Sequence, residues 1–113
     1  MNLPYFEMGI QKDAEELLVY MYKEYTKEDD YRIPSQEFIQ KHTSWSDFRF
    51  RRAINYLTEK CLISTITFKG EEVILRITSK GVDAIETPSK FKKHFNHEVD
   101  LKLYKFSWGA SEV

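Results

Sequence analysis

The stretch SWSDFRFRRAINYLTEKCLISTITFKGEEVILRITSKG, residues 44–81, decides the fold. Its first half reads as one helix over residues 45–60 that carries Arg49, Arg51 and Arg52 within four positions. Ser44 can accept the amide hydrogen bond of residue 47 and Asp47 can reach back, the reciprocal pattern of a capping box. At about 100° per residue, Phe50, Ile54, Leu57 and Cys61 share a narrow sector, so they are expected to face the core with Ala53 at its edge. The opposite sector holds Arg52, Phe48, Trp45 and Glu59. Arg49 and Tyr56 flank it on one side and Asn55 on the other, while Arg51 projects sideways. Alternation then replaces the helical period. Ser64 to Phe68 is rich in β-branched residues, Lys69-Gly70-Glu71 makes a turn, and Val73, Leu75 and Ile77 line one face of a second strand. Thr78 is expected to cap a short helix that buries Val82 and Ile85 and stops before Pro88.

Upstream, Asp13 has the position of a helix cap, with Glu16 three residues on. Ala14, Leu17, Leu18, Met21 and Tyr25 recur at helical spacing as the buried stripe. Lys27 to Asp30 reads as a charged turn and Tyr31 to Ile33 as a very short strand. Pro34 suits the first turn of a second helix, with Phe38 and Ile39 pointing inward and an end near His42.

Helix, short strand, helix, helix, strand, turn, strand is the order of winged helix-turn-helix domains, and the chain resembles that superfamily over about residues 11–86. Two segments carry the resemblance. Arg52-Ala53-Ile54-Asn55-Tyr56-Leu57-Thr58-Glu59-Lys60-Cys61-Leu62-Ile63 is similar to the family's exit from the recognition helix, with Cys61 where a glycine in a left-handed cap is usual. Ile77-Thr78-Ser79-Lys80-Gly81 is similar to the Leu-Thr-Pro-Lys-Gly that follows the wing in many bacterial and archaeal regulators. The expected fold is therefore α+β: a three-helix core with a β-hairpin wing over 64–78, a C-terminal helix, and an extra strand-like tail. The winged domain would span 1–87 and the extension 88–113. In that extension Pro88 to Phe95 is basic, and Val99, Leu101 and Leu103 alternate with Asp100 and Lys102 as in a half-buried strand. Tyr104, Phe106 and Trp108 occupy the other parity. Such a strand needs a partner, either the domain's own sheet or a second subunit.

With 113 residues, 42% hydrophobic and 31% charged, the chain has the size and composition of one soluble globular domain. It has no apolar run of bilayer length and no secretory signal pattern, and its single cysteine suits a reducing compartment, so the cytoplasm is the expected location. The net charge of -1 is not that of a strongly basic nucleic-acid binder, but charge is polarised along the sequence. Eight acids face three lysines through Asp30, whereas six basic residues face two acids from Lys41 to Lys69. A cationic face is thus available.

The resemblance implies a sequence-specific binder of double-stranded DNA, a prokaryotic, viral or plasmid-borne transcriptional regulator acting as a dimer. Arg49 and Arg52 would lie nearest the bases. Arg51, Lys41 and Lys69 would hold phosphates, and Trp45, Ser46 and Asn55 would complete the groove contacts. Against this stands a solvated helix face whose arginines pair with Asp47 or Glu59. Trp45, Phe48 and Tyr56 beside the arginines also have the composition of a protein-interface hot spot, so a protein-interaction module is the alternative. Tyr20, Tyr22, Tyr25 and the tail are the candidate dimer surfaces. His42, His94 and His97 lack the companion ligands of a zinc site, Cys61 behaves as a small hydrophobe, and no phosphate-cradling glycine array or nucleophile triad is present. No enzyme, metal or cofactor is expected.

Overall fold

In the computed structural model, residues 3–27, 35–68 and 72–108 are described. Among them are five helices and one antiparallel hairpin, an α+β arrangement. The order is α1 (Leu3–Tyr25), α2 (Gln36–Thr43), α3 (Asp47–Glu59), β1 (Ile63–Phe68), β2 (Glu72–Ile77), α4 (Ser79–Glu86) and α5 (Pro88–Phe95). A single 3-10 turn follows at Leu101–Leu103. The strands pair in the register Ile63 with Ile77 and Thr65 with Leu75. That register puts Ile63, Leu75 and Ile77 on the buried side. The expected strand at Tyr31–Ile33, the Pro34 turn and the Lys69-Gly70 hairpin tip lie outside the described residues.

α1 is the longest helix and the centre of the core. Ala14, Leu17, Leu18, Val19 and Met21 are buried along it, and Phe50, Ala53 and Leu57 of α3 belong to the same cluster. The helix begins ten residues before the expected Asp13, so Asp13 and Glu16 are interior positions and make no capping box. Both carboxylates are buried instead. Ser35 caps α2 by accepting from the Phe38 amide. On this helix Ile39 and Thr43, one turn apart, are buried, whereas Phe38, expected inward, is 43% exposed, because neighbouring helix positions point about 100° apart.

The junction between α2 and α3 differs from expectation by one cap. Ser44 ends α2 in the left-handed region with φ 61°, and Ser46 starts α3 by accepting from the Arg49 amide. A residue that closes one helix in a left-handed turn cannot also hold the extended backbone that a helix start requires.

The other end of α3 also corrects the sequence expectation. Cys61 does not face the core; it is exposed, with φ 63°. The Leu62 amide donates to the Leu57 carbonyl and the Cys61 amide to the Thr58 carbonyl. These two bonds are the Schellman pattern, in which the left-handed position favours glycine. The helical wheel fails here because the helix has already ended. Leu62, one residue later, supplies the buried side chain. Replacing Cys61 with glycine relieves the left-handed strain and is expected to raise stability by about 1 kcal/mol or less, offset partly by unfolded-state entropy. A chemical denaturation midpoint that drops in Cys61→Gly would contradict this.

Thr78 is the N-cap of α4, as expected. Its hydroxyl accepts from the Gly81 amide and donates to the Cys61 carbonyl at 2.7 Å, and its amide donates to the Leu62 carbonyl. One residue thereby ties the start of β1, the end of β2 and the first turn of α4 together.

The tail is not a strand. Pro88 opens α5, which buries Phe91 and Phe95, and the chain then crosses α1 irregularly. Leu103, expected inward, is 72% exposed, while Phe106 is buried with the main core. No ladder holds this segment; carboxylates of α1 do. Tyr104 donates to Glu15 at 2.7 Å, and the Ser107 amide and hydroxyl both donate to Glu16. Burial pushes the Glu16 carboxyl pKa up, against the opposing effect of the Ser107 hydrogen bonds.

His97 joins the same clasp. Its Nε2 lies 2.6 Å from Glu15 and its Nδ1 2.7 Å from the Glu98 carbonyl. Both partners are acceptors only, so the imidazolium, with two N–H donors, satisfies both at once. The bond to Glu15 raises the His97 pKa above its ordinary value. This contribution to stability is therefore complete below the unfolded-state value and is lost as pH rises through the folded one. The expected NMR titration midpoint of His97 lies above 6.5 and moves down in Glu15→Gln. An unchanged midpoint in that variant would remove Glu15 as the cause.

Candidate nucleic-acid interface

The candidate side chains on and beside α3 are separated by what surrounds them. Arg49 leaves the helix toward α1. Its Nε and Nη2 each donate to a different oxygen of Asp13 at 2.8 Å, a fork-to-fork pair with a carboxylate inside the core. The same guanidinium lies over the Trp45 ring, 4.4 Å from its centroid. Trp45 is itself only 8% exposed and meets Trp108 of the tail edge-on at 5.1 Å. Neither residue sits where the sequence expectation put it. Arg49 is bound to Asp13 and Trp45 is part of the core.

The outward face holds the rest. Arg51 is exposed and pairs with Asp47 one turn earlier at 2.7 Å, a bond that lowers the Asp47 carboxyl pKa. Gln40 of α2 also donates to Asp47. An exposed pair of this type is worth little and opens readily to another anion. Arg52 is half-buried, with its guanidinium 4.9 Å from the Phe48 ring centroid. Phe48 is 68% exposed, which makes it the most solvent-facing aromatic among the described residues. Asn55 is exposed, and Ser46 is exposed with its hydroxyl committed to the cap. Lys41 is exposed on α2 and pairs with Glu37. Tyr56 turns sideways, accepting from Gln11 and lying under Lys60. Lys69 lies outside the described residues.

The structure thus leaves Phe48, Arg51 and Asn55 of α3 exposed, with the N-cap Ser46 before them and Lys41 on α2, while Arg52 is half-buried with its Nε and Nη1 shut off from solvent. It buries Trp45 and ties the part-exposed Arg49 to Asp13. Asp13 was the residue missed from the sequence. It lies 36 positions from Arg49, and only its adjacency to the apolar stripe Ala14-Leu17-Leu18 hinted that a carboxylate would be buried and need a cation.

The histidines do not converge. His42 stacks on Tyr20 at 5.0 Å, His97 belongs to the tail clasp, and His94 lies on α5. Among the described residues no group of three His, Cys, Asp or Glu side chains could hold a metal ion, and no helix is long and apolar enough to cross a membrane. Comparison of the chain with family models, with curated proteins and with solved structures finds no match.

Proposed function

We propose that the chain is a winged-helix module that binds duplex DNA, a small transcriptional regulator that works as a dimer. In this assignment α2, the left-handed turn at Ser44 and α3 form the helix-turn-helix, and the β1–β2 hairpin is the wing. Arg51, Arg52 and Asn55 meet the groove, and Lys41 holds a flanking phosphate. Arg49 positions the helix and contacts nothing outside the protein. The supporting observation is that α3 is locked to α1 by a two-bond ion pair while Arg51 and Asn55 remain at the surface. A groove-reading helix needs that rigidity, because its contacts depend on a fixed angle to the rest of the fold.

Fluorescence anisotropy with a mixed-sequence duplex tests the proposal. Binding is expected at low salt, weakening steeply as salt rises, and Arg51→Ala/Arg52→Ala should lose about tenfold or more in the affinity of the folded protein. No binding at low salt, or equal affinity in that variant, would remove DNA as the ligand of this face.

Protein docking has one specific observation in its favour. Phe48 stands exposed with Arg52 stacked on it, an aromatic and arginine pair of the kind that anchors protein interfaces. It replaces DNA if the titration is flat and a Phe48→Ala variant loses a captured protein partner.

A further inference from the structure

A second concentration of cations lies away from the groove-facing side of α3. α5 carries Lys90, Lys92 and Lys93 and no acid. Its buried residues, Phe91 and Phe95, turn Lys90, Lys93 and His94 onto one outer flank. Lys80 projects from the first turn of α4, the helix α5 follows directly, and Lys60 closes α3. Lys80, Lys90 and Lys93 are exposed and Lys60 half-exposed. None of the four is ion-paired among the described residues. The nearby acids of α4 face elsewhere: Glu86 accepts from Tyr22, and Asp83 lines a cleft with Tyr25, Ser64 and Arg76. His94 sits among these lysines. Burial first, and then the charges of Lys60, Lys80 and Lys93, hold its pKa below the ordinary value.

We propose that this shoulder, carrying Lys60, Lys80, Lys90 and Lys93 on three helices, is a contact for the phosphate backbone of duplex DNA, separate from the outward face of α3. It rests on the assignment of DNA as the ligand and extends the footprint. Lys60 stands about 20 Å along α3 from Ser46, given about 1.5 Å of rise per residue.

The chemistry of the patch selects this partner. The ammonium groups are carried on three helices, which suits a row of phosphates better than a single small anion. Lysine is a point charge without arginine's fork, so the contact positions the duplex and reads no bases. The aromatic rings of α5 are buried, leaving nothing on which unpaired bases could stack. Among the described residues the exposed large hydrophobics are Tyr25, Phe38, Phe48 and Leu103, none of them on α4 or α5, so the patch lacks both the wedge of a membrane-inserting surface and the anchor of a protein hot spot.

The test compares the full chain with Lys80→Gln/Lys90→Gln/Lys93→Gln and with Arg51→Ala/Arg52→Ala. Each is titrated with duplex DNA over a range of salt while the His94 imidazole is followed by NMR. In the lysine variant the slope of log affinity against log salt is expected to shrink by about 2–3, near 0.9 for each phosphate no longer neutralised. Lysine-to-arginine replacements at the same three positions should restore it. In the wild type, added DNA should raise the His94 pKa, because phosphates offset the lysine charges around it. An unchanged slope and an unmoved His94, with binding still weakened in the arginine variant, would overturn the shoulder and leave the α3 face standing. Loss in the lysine variant alone would keep the shoulder and remove the α3 face. A His94 response to polyglutamate or to phosphatidylserine vesicles equal to that for DNA, at matched ionic strength, would overturn DNA as the shoulder's partner.

Discussion

Arg49→Ala is expected to lower stability by about 2–4 kcal/mol and to leave the DNA affinity of the folded protein nearly unchanged. Removing the guanidinium strands the Asp13 carboxylate, which is 7% exposed and has its two oxygens aimed at Arg49. A buried charge that loses its partner costs about 3–5 kcal/mol, and the lower range applies because the Arg49 side chain is 41% exposed and the site can admit water. The reverse variant should be milder. In Asp13→Ala the arginine, already part-exposed and lying over Trp45, can turn to solvent, so about 1–2 kcal/mol is expected. For a domain of this size the larger loss corresponds to roughly 10 °C or more in melting temperature. Calorimetry of both single variants and the double variant gives the coupling directly. If Arg49→Ala proves neutral in stability and costs DNA affinity instead, Arg49 reads DNA and the internal strut is wrong.

Gly81→Ala should be strongly destabilising for a change of a single methyl. A Cβ at Gly81 would stand 2.3 Å from the Leu62 carbonyl oxygen and 2.7 Å from the Ile77 side chain. The first of these atoms is backbone and already accepts from the Thr78 amide, so it cannot move without pulling β1 from its place. Overpacking commonly costs about 1–3 kcal/mol, and a clash with a fixed carbonyl belongs at or beyond the top of that range. The Thr78 bonds to Cys61 and to Gly81 should weaken together, because all three residues meet in one corner. Denaturant unfolding of Gly81→Ala with a midpoint close to wild type would show that the corner yields more easily than its geometry implies.

Local chemistry made much of the fold legible. Alternation from Ser64 to Ile77 with a turn between gave the hairpin, and Thr78 before Ser79-Lys80-Gly81 gave the cap of α4. The inward sector of α3 was right for Phe50, Ile54 and Leu57 and wrong for Cys61, since periodicity says nothing about where a helix stops. The tail was misread because an alternating pattern is ambiguous without a partner strand. Its hydrogen-bond acceptors are Glu15 and Glu16, more than eighty residues away. The candidate site was legible only in its composition. The helical wheel put Arg52 opposite the core and Arg51 to the side, whereas Arg51 is exposed and Arg52 half-buried. That Arg49 would swing to Asp13, and Trp45 tuck against Trp108, depended on contacts between distant segments, which spacing does not encode.

Which residues of α3 touch DNA is answered most directly by an NMR titration of the labelled full chain with duplex DNA. The predicted result is a contiguous set of shifts at Ser46, Arg51, Arg52 and Asn55, with the Arg49 side-chain resonance undisturbed in its pair with Asp13. Shifts that leave α3 untouched, or an Arg49 resonance that moves first and furthest, would contradict it.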